Sequence, residues 1–190
     1  MQARARGYSF NLMSQYQEAL SKAMSLLAED PKSIFIGQAV AYAGTGMTTT
    51  LAGIDPEKLI EVPVDEDLQM GMSTGLALQG FKPITIFPRW NFLLLATNQI
   101  VNHLDKLREL TNLKKPPTVV IRTGIGSISP LDPGPQHKGD FTEAFKLMCP
   151  NLDVVRLDEA SQIIPTYQKA FTRSDGVSSL IIEWSDKYYE

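Results

Sequence analysis

The chain is poor in several things, and each shortage excludes something. It has one cysteine, Cys149, in 190 residues. No internal disulfide can form, and the thiol fits a reducing compartment such as the cytoplasm. The only histidines are His103 and His137. With a single cysteine they cannot assemble a zinc site by spacing. Neither sign of charge dominates, since 18 basic and 21 acidic residues leave a net charge of −3. No basic stripe or basic amphipathic helix is present, which argues against nucleic-acid and membrane partners. No apolar run reaches the roughly 20 residues that span a bilayer. There is no GxxxxGK[ST] loop and no GxGxxG between a strand and a helix. "GTG" (Gly44–Gly46) and "GIGS" (Gly124–Ser127) are only fragments, and no serine lies in GxSxG.

What is present is enough apolar material for a core: 43% of the residues in a chain of one-domain length. The start, "MQARARGYSF", is too short and too weakly apolar for a secretory signal. Residues 1–12 read as a flexible extension and 13–190 as one domain.

Helical spacing of Tyr16, Leu20, Ala23, Met24 and Leu27 predicts a helix from Ser14, a capping residue, to Glu29. Pro31 stops it. Short apolar strands are predicted at Ser33–Gly37, Leu59–Val64, Lys82–Phe87, Thr118–Arg122, Leu152–Leu157 and Ser179–Trp184. Between them lie a loop (Gln38–Asp55), a helix from about Glu66 to Gln79 closed by Gly80, a long helix from Asn91 to about Thr111, a glycine- and proline-rich loop (Thr123–Lys138), a short helix (Phe141–Met148) and a helix from Glu159 to Arg173. Strands apolar on both faces and alternating with helices predict an α/β fold. It is a doubly wound, mostly parallel six-stranded sheet with helices on both faces. In such folds ligands sit outside the carboxyl ends of strands. The loops after Gly37, Val64 and Arg122 should therefore converge on a site. His103 falls mid-helix and reads as solvated or at the core edge, and Cys149 as a buried small hydrophobe. The acids Asp65, Glu66 and Asp67 sit where a strand hands over to a helix. They fit capping, or one of them could hold a ligand.

Five stretches, taken in order, resemble a known family: "SQYQEALSKAMSLLAEDPKSIFIGQAV", "LIEVPVDEDLQMGMSTGLALQGFKPITIFPRWNFLLLATNQIVNHLDKL", "VVIRTG", "GPQHKGDFTEAF" and "NLDVVRLDEASQ". From about Ser14 to Trp184 the chain looks like the pyrimidine-binding domain of thiamine-diphosphate enzymes. It is similar to the beta subunit of the 2-oxo acid dehydrogenase decarboxylase component and to the middle domain of transketolases. The resemblance implies that Glu66, in Pro63-Val64-Asp65-Glu66, hydrogen-bonds a ring nitrogen of the cofactor's aminopyrimidine and favours its imino form. Phe92, 26 residues after Glu66, matches the aromatic that stacks on the pyrimidine, and Trp90 is a candidate for the same wall. On the residues alone, both aromatics also read as core. His137 matches a loop histidine facing the substrate end of the cofactor, where it could orient an oxyanion or shuttle a proton.

Gln38 is a further cofactor-side candidate, although the beta subunits usually carry a glutamate there. No "GDG" diphosphate motif is found, so the resemblance implies that only the pyrimidine half of thiamine diphosphate binds to this chain. Mg2+ and the diphosphate would belong to a separate partner chain, with two copies of each chain in the assembly. The further beta-subunit domain is also missing, which favours a split transketolase-like or decarboxylase-like enzyme acting on a ketose or 2-oxo acid. Gly71, Ser73, Gly75 and Ala77 would admit a partner helix, or pack on the chain's own sheet. The rival expectation is a non-catalytic relative that serves assembly or regulation.

Overall fold

The computed structural model of the chain describes residues 13–42, 44–126, 128 and 132–189. The extension expected over residues 1–12 lies outside them. Helix α1 (Gln15–Ala28) starts where the Ser14 hydroxyl accepts from the Gln17 N–H at 3.0 Å. It turns Tyr16, Leu20, Ala23, Met24 and Leu27 inward. Six strands follow along the chain: β1 (Ser33–Gly37), β2 (Leu59–Glu61), β3 (Lys82–Phe87), β4 (Val120–Ile125), β5 (Asp153–Arg156) and β6 (Ser179–Trp184). They form one sheet in the order β2-β1-β3-β4-β6-β5. Every pairing is parallel, so the sheet is wholly rather than mostly parallel.

Both faces are covered, as apolar strands require. On one face α1 and α7 (Ala160–Thr172) close a core around Phe35, Ile84, Tyr167 and Ile181. On the other, α3 (Glu66–Leu78), α4 (Trp90–Leu93) and α6 (Thr142–Met148) cover Phe87, Ile121, Leu180 and Ile182. Within the sheet β2 lies to one side of β1 and β3 to the other, which puts the topological switch point between β1 and β3.

Strand β4 runs from Val120 to Ile125 rather than from Thr118 to Arg122, and three other predicted elements differ. The loop after β1 contains a one-turn helix, α2 (Gly46–Thr49), begun by the Thr45 hydroxyl accepting from Thr48 N–H. Strand β2 ends at Glu61 rather than Val64. Pro63 cannot donate to a ladder, and the Glu61 carboxylate is turned back to accept from the N–H groups of Ala39, Val40 and Ala41. The long helix after β3 is not uniform. It runs as α4, a 3₁₀ turn (Leu94–Ala96), a π-helical stretch (Gln99–Leu104) and α5 (Leu107–Thr111). The buried positions explain this. Trp90, Leu93 and Ala96 are spaced by three, whereas Ala96, Ile100 and Leu104 are spaced by four. A tightened and then widened helix keeps both sets on the sheet.

Candidate functional site

A cleft of about 580 Å³ opens at the carboxyl end of the sheet, beside the switch point. The loop after β1 gives it Gln38, Ala39 and residues 44–47. The segment after β3 gives Pro88, Arg89 and Phe92, the loop after β4 gives Pro133 and His137, and the segment after β6 gives Ser185, Tyr188 and Tyr189. The loops after β1 and β4 were predicted to converge there. Those after β3 and β6 were not, and the acids after β2 stand one layer behind the wall.

Glu66 opens α3. Asp65 caps the helix, its carboxylate accepting from the Leu68 N–H at 3.0 Å. Asp67 turns to Gln99, whose amide donates to it at 3.1 Å. The three acids thus separate into a cap, an inter-helix tie and a buried group. Glu66 is 2% exposed. Its one hydrogen bond among the described residues comes from the Gln38 amide to Oε1 at 3.1 Å, and no cation pairs with it there. Oε2 keeps its acceptor capacity. Oε2 is not one of the buried atoms that lack a partner, so water reaches it, and a ring N–H or amino group of a ligand can take that water's place. An ionised glutamate at position 38 would bring only acceptors, whereas the Gln38 amide supplies Glu66 with a donor.

Phe92 and His137 share the opposite wall, with ring centroids 5.2 Å apart. His137 Nδ1 is buried and has no partner among the described residues. Ala39 sits on the wall in the left-handed region, at φ 52°. The three N–H bonds into Glu61 hold it there, at a cost of about 1–2 kcal/mol.

The Trp90 expectation is corrected. Trp90 is 0% exposed and packs on Phe145, with ring centroids 4.8 Å apart, under α6. It belongs to the core on that face of the sheet and does not line the cleft. His103 is exposed and Cys149 buried, as read from sequence. Burial, with Asp105 nearby, pushes the Cys149 thiol up to about 12.

Two features were not foreseen. Arg89 reaches the wall from "FPRWNF", where a charge interrupts an aromatic run. Beneath the cleft, Arg122 and Glu183 are both fully buried on adjacent strands β4 and β6, with Nε to Oε1 at 2.5 Å. Tyr167 and Tyr188 also donate to Glu183. Burial opposes the Arg122 charge, but the Glu183 carboxylate outweighs it and holds the guanidinium well above its ordinary value. A charge inside each of two apolar strands was the available signal. A second cavity, about 460 Å³, lies away from the strands' carboxyl ends, and its charged side chains already have partners, Arg108 donating to the carbonyls of Lys114 and Asp175. Asp105 accepts from Asn151, and Arg173 bridges Asp153 and Asp175.

The transketolase pyrimidine-binding domain model matches residues 13–187. The chain is 31% identical over 143 residues to the pyruvate dehydrogenase E1 component subunit beta of Rickettsia conorii, covering 73% of this chain and 43% of that one. It is 30% identical over 146 residues to the 3-methyl-2-oxobutanoate dehydrogenase subunit beta of Mycobacterium tuberculosis, covering 73% and 40%. It is 28% identical over 148 residues to the 1-deoxy-D-xylulose-5-phosphate synthase of Dictyoglomus thermophilum, covering 78% and 22%. The chain thus spans less than half the length of these relatives. Among solved structures, a split-gene transketolase described as an inactive beta4 tetramer superposes with a TM-score of 0.66 at 23% identity, over 90% of this chain and 51% of that one. That likeness concerns the fold. A parallel sheet in this strand order, a buried glutamate at the head of α3 and a family match across nearly the whole chain lead to one conclusion: the chain belongs to the transketolase pyrimidine-binding domain family.

Proposed function

We propose that this chain is the pyrimidine-binding subunit of a two-chain thiamine-diphosphate-dependent enzyme, transketolase-like or 2-oxo acid decarboxylase-like. The observation that carries this reading is Glu66. It is buried behind the cleft with one neutral partner and a spare acceptor oxygen. The residues fit the pyrimidine half of the cofactor. Glu66 would hold a hydrogen at a ring nitrogen, Gln38 would fix Glu66 Oε1, and Phe92 would offer a flat wall for stacking. His137 would meet the substrate end, where a neutral or charged imidazole can orient an oxyanion or carry a proton. When bound, thiamine diphosphate supplies a nucleophilic ring carbon for cleaving a C–C bond beside a carbonyl, so the substrate class is a ketose or a 2-oxo acid.

We assign the diphosphate and Mg2+ to a separate chain, because the relatives include beta subunits of two-component enzymes and the fold neighbour is a split-gene transketolase. Two copies of each chain would complete the assembly. The outer face of α3 supports such contact. Leu68, Met72 and Leu78 are exposed, and a side chain added at Gly75 would meet nothing within 4 Å. Ser73 and Ala77 face the chain's own core instead. The buried free thiol of Cys149 favours the cytoplasm.

The test is co-purification with a partner that carries the diphosphate motif, followed by cofactor-binding and turnover measurements. Glu66→Ala should lower turnover by about a hundredfold or more, the scale of general acid–base contributions. Turnover unchanged in Glu66→Ala would sink the assignment. Tight Mg2+-dependent binding of the whole cofactor by this chain alone would sink the division between two chains.

A further inference from the structure

Among the described residues that line the cleft, Arg89 is the only permanently charged side chain. Its hydrogen bonds all leave from one nitrogen. Nη1 donates to the carbonyl of Gly126 at 2.9 Å and to that of His137 at 3.3 Å. Among the described residues, Nε and Nη2 make no hydrogen bond and no carboxylate forms an ion pair with the group. Asp186, the acid whose charge acts on Arg89, turns Oδ1 to the Ile128 N–H at 2.5 Å. Arg89 is half-buried, and burial holds its guanidinium below the ordinary value despite Asp186 and Tyr189. A partly desolvated cation that feels an acid but forms no close ion pair among the described residues keeps donor capacity for an anion. Nη1 pins the plane of the group to two backbone carbonyls, which leaves the Nε–Nη2 edge as a preset fork. That is the donor pattern which grips a planar carboxylate or a phosphate with two parallel hydrogen bonds.

We propose that Arg89 is the oxyanion anchor of the cleft: its Nε–Nη2 edge grips the carboxylate or phosphate of the substrate and determines which substrate is accepted. The word substrate rests on the function proposed above, whereas anion binding by the fork does not. The neighbours agree with this role. Phe92 and His137 share the wall, and Arg89 holds the His137 carbonyl through Nη1, so the fork and the imidazole belong to one cleft.

The experiment uses the 15N-labelled full chain. The Arg89 Nε–Hε signal, identified by its loss in Arg89→Met, is followed by NMR against potassium oxalate and against inorganic phosphate at constant ionic strength, with chloride as reference. A saturable shift is expected for at least one probe, with the amide signals of Phe92 and His137 moving at the same midpoint. The probe that saturates at lower concentration identifies the anion as carboxylate or phosphate. Arg89→Lys keeps the charge but not the fork and should weaken binding about tenfold. Its core-strand amide signals report whether the fold is intact. No saturable shift, a response no different from chloride, a Phe92 and His137 response that survives Arg89→Met, or equal binding by Arg89→Lys would each overturn the proposal. Cofactor binding by the paired chains is a separate measurement, so either reading can fail without the other.

Discussion

Glu66 and Glu183 are both buried glutamates, and their partners separate them. Glu183 is surrounded: Arg122, Tyr167 and Tyr188 all donate to it. Such a carboxylate has no capacity left for a ligand and belongs to the scaffold. Glu66 has one amide and a spare oxygen. Arg122→Met should therefore act on stability. It leaves Glu183 charged and unpaired in the core, at a cost of about 3–5 kcal/mol. Denaturant unfolding should show that loss, and Arg122→Met/Glu183→Leu should recover part of it, because the uncompensated charge is gone. A single variant as stable as the wild type would mean that the pair contributes nothing net. The pattern around Glu66 singled it out in the sequence, and the structure places it buried at the head of α3. Arg122 and Glu183 were not singled out, because each sits in an apolar strand and only the β4–β6 register brings them together.

Helix α3 connects site and fold more directly than any other element. Its cap, its buried glutamate and its tie to the following helix occupy three consecutive residues, 65–67. Asp65→Ala removes the acceptor for the Leu68 N–H and should cost about 1 kcal/mol, read as a fall of several degrees in Tm. An unchanged Tm would mean that solvent replaces the cap. Short helices and strands of this kind were readable from period and punctuation. Ser14, Gly80 and the Ser179–Trp184 run all fall where the pattern puts them. The stretch after β3 was not readable as a broken helix, because 3₁₀, α and π windings all satisfy a mixed spacing of three and four. Only contact with the sheet selects among them. The same helix start turned Trp90 inward and Phe92 outward, a choice that composition alone could not make.

For the molecule as a whole, surface acids set the response to pH. Side-chain hydrogen bonds from Lys82, Lys138 and Trp184 hold Asp30, Asp132 and Asp158 below the ordinary carboxylate value, and Arg173 holds Asp175 at about 2. Their folded values lie below the unfolded one, so the unfolded chain binds more protons in acid. The stability they contribute is complete above about pH 4 and is lost as pH falls toward 2. Urea midpoints should be nearly flat from pH 5 to 7 and decline below pH 4, with the decline blunted by salt because these pairs are exposed. A midpoint that rises on acidification would contradict the ion-pair account.

The strand order carries a consequence for time. Strand β5 pairs only with β6, and β6 fills the gap between β4 and β5. A ribosome emits β5 before the strand that will hold it. Until Ser179–Trp184 emerges, β4 presents an open edge and β5 has no ladder to join, a state prone to stray pairing. The Arg122–Glu183 contact closes at that same moment. Arg122 therefore gains its Glu183 partner only when the last strand docks beside β4.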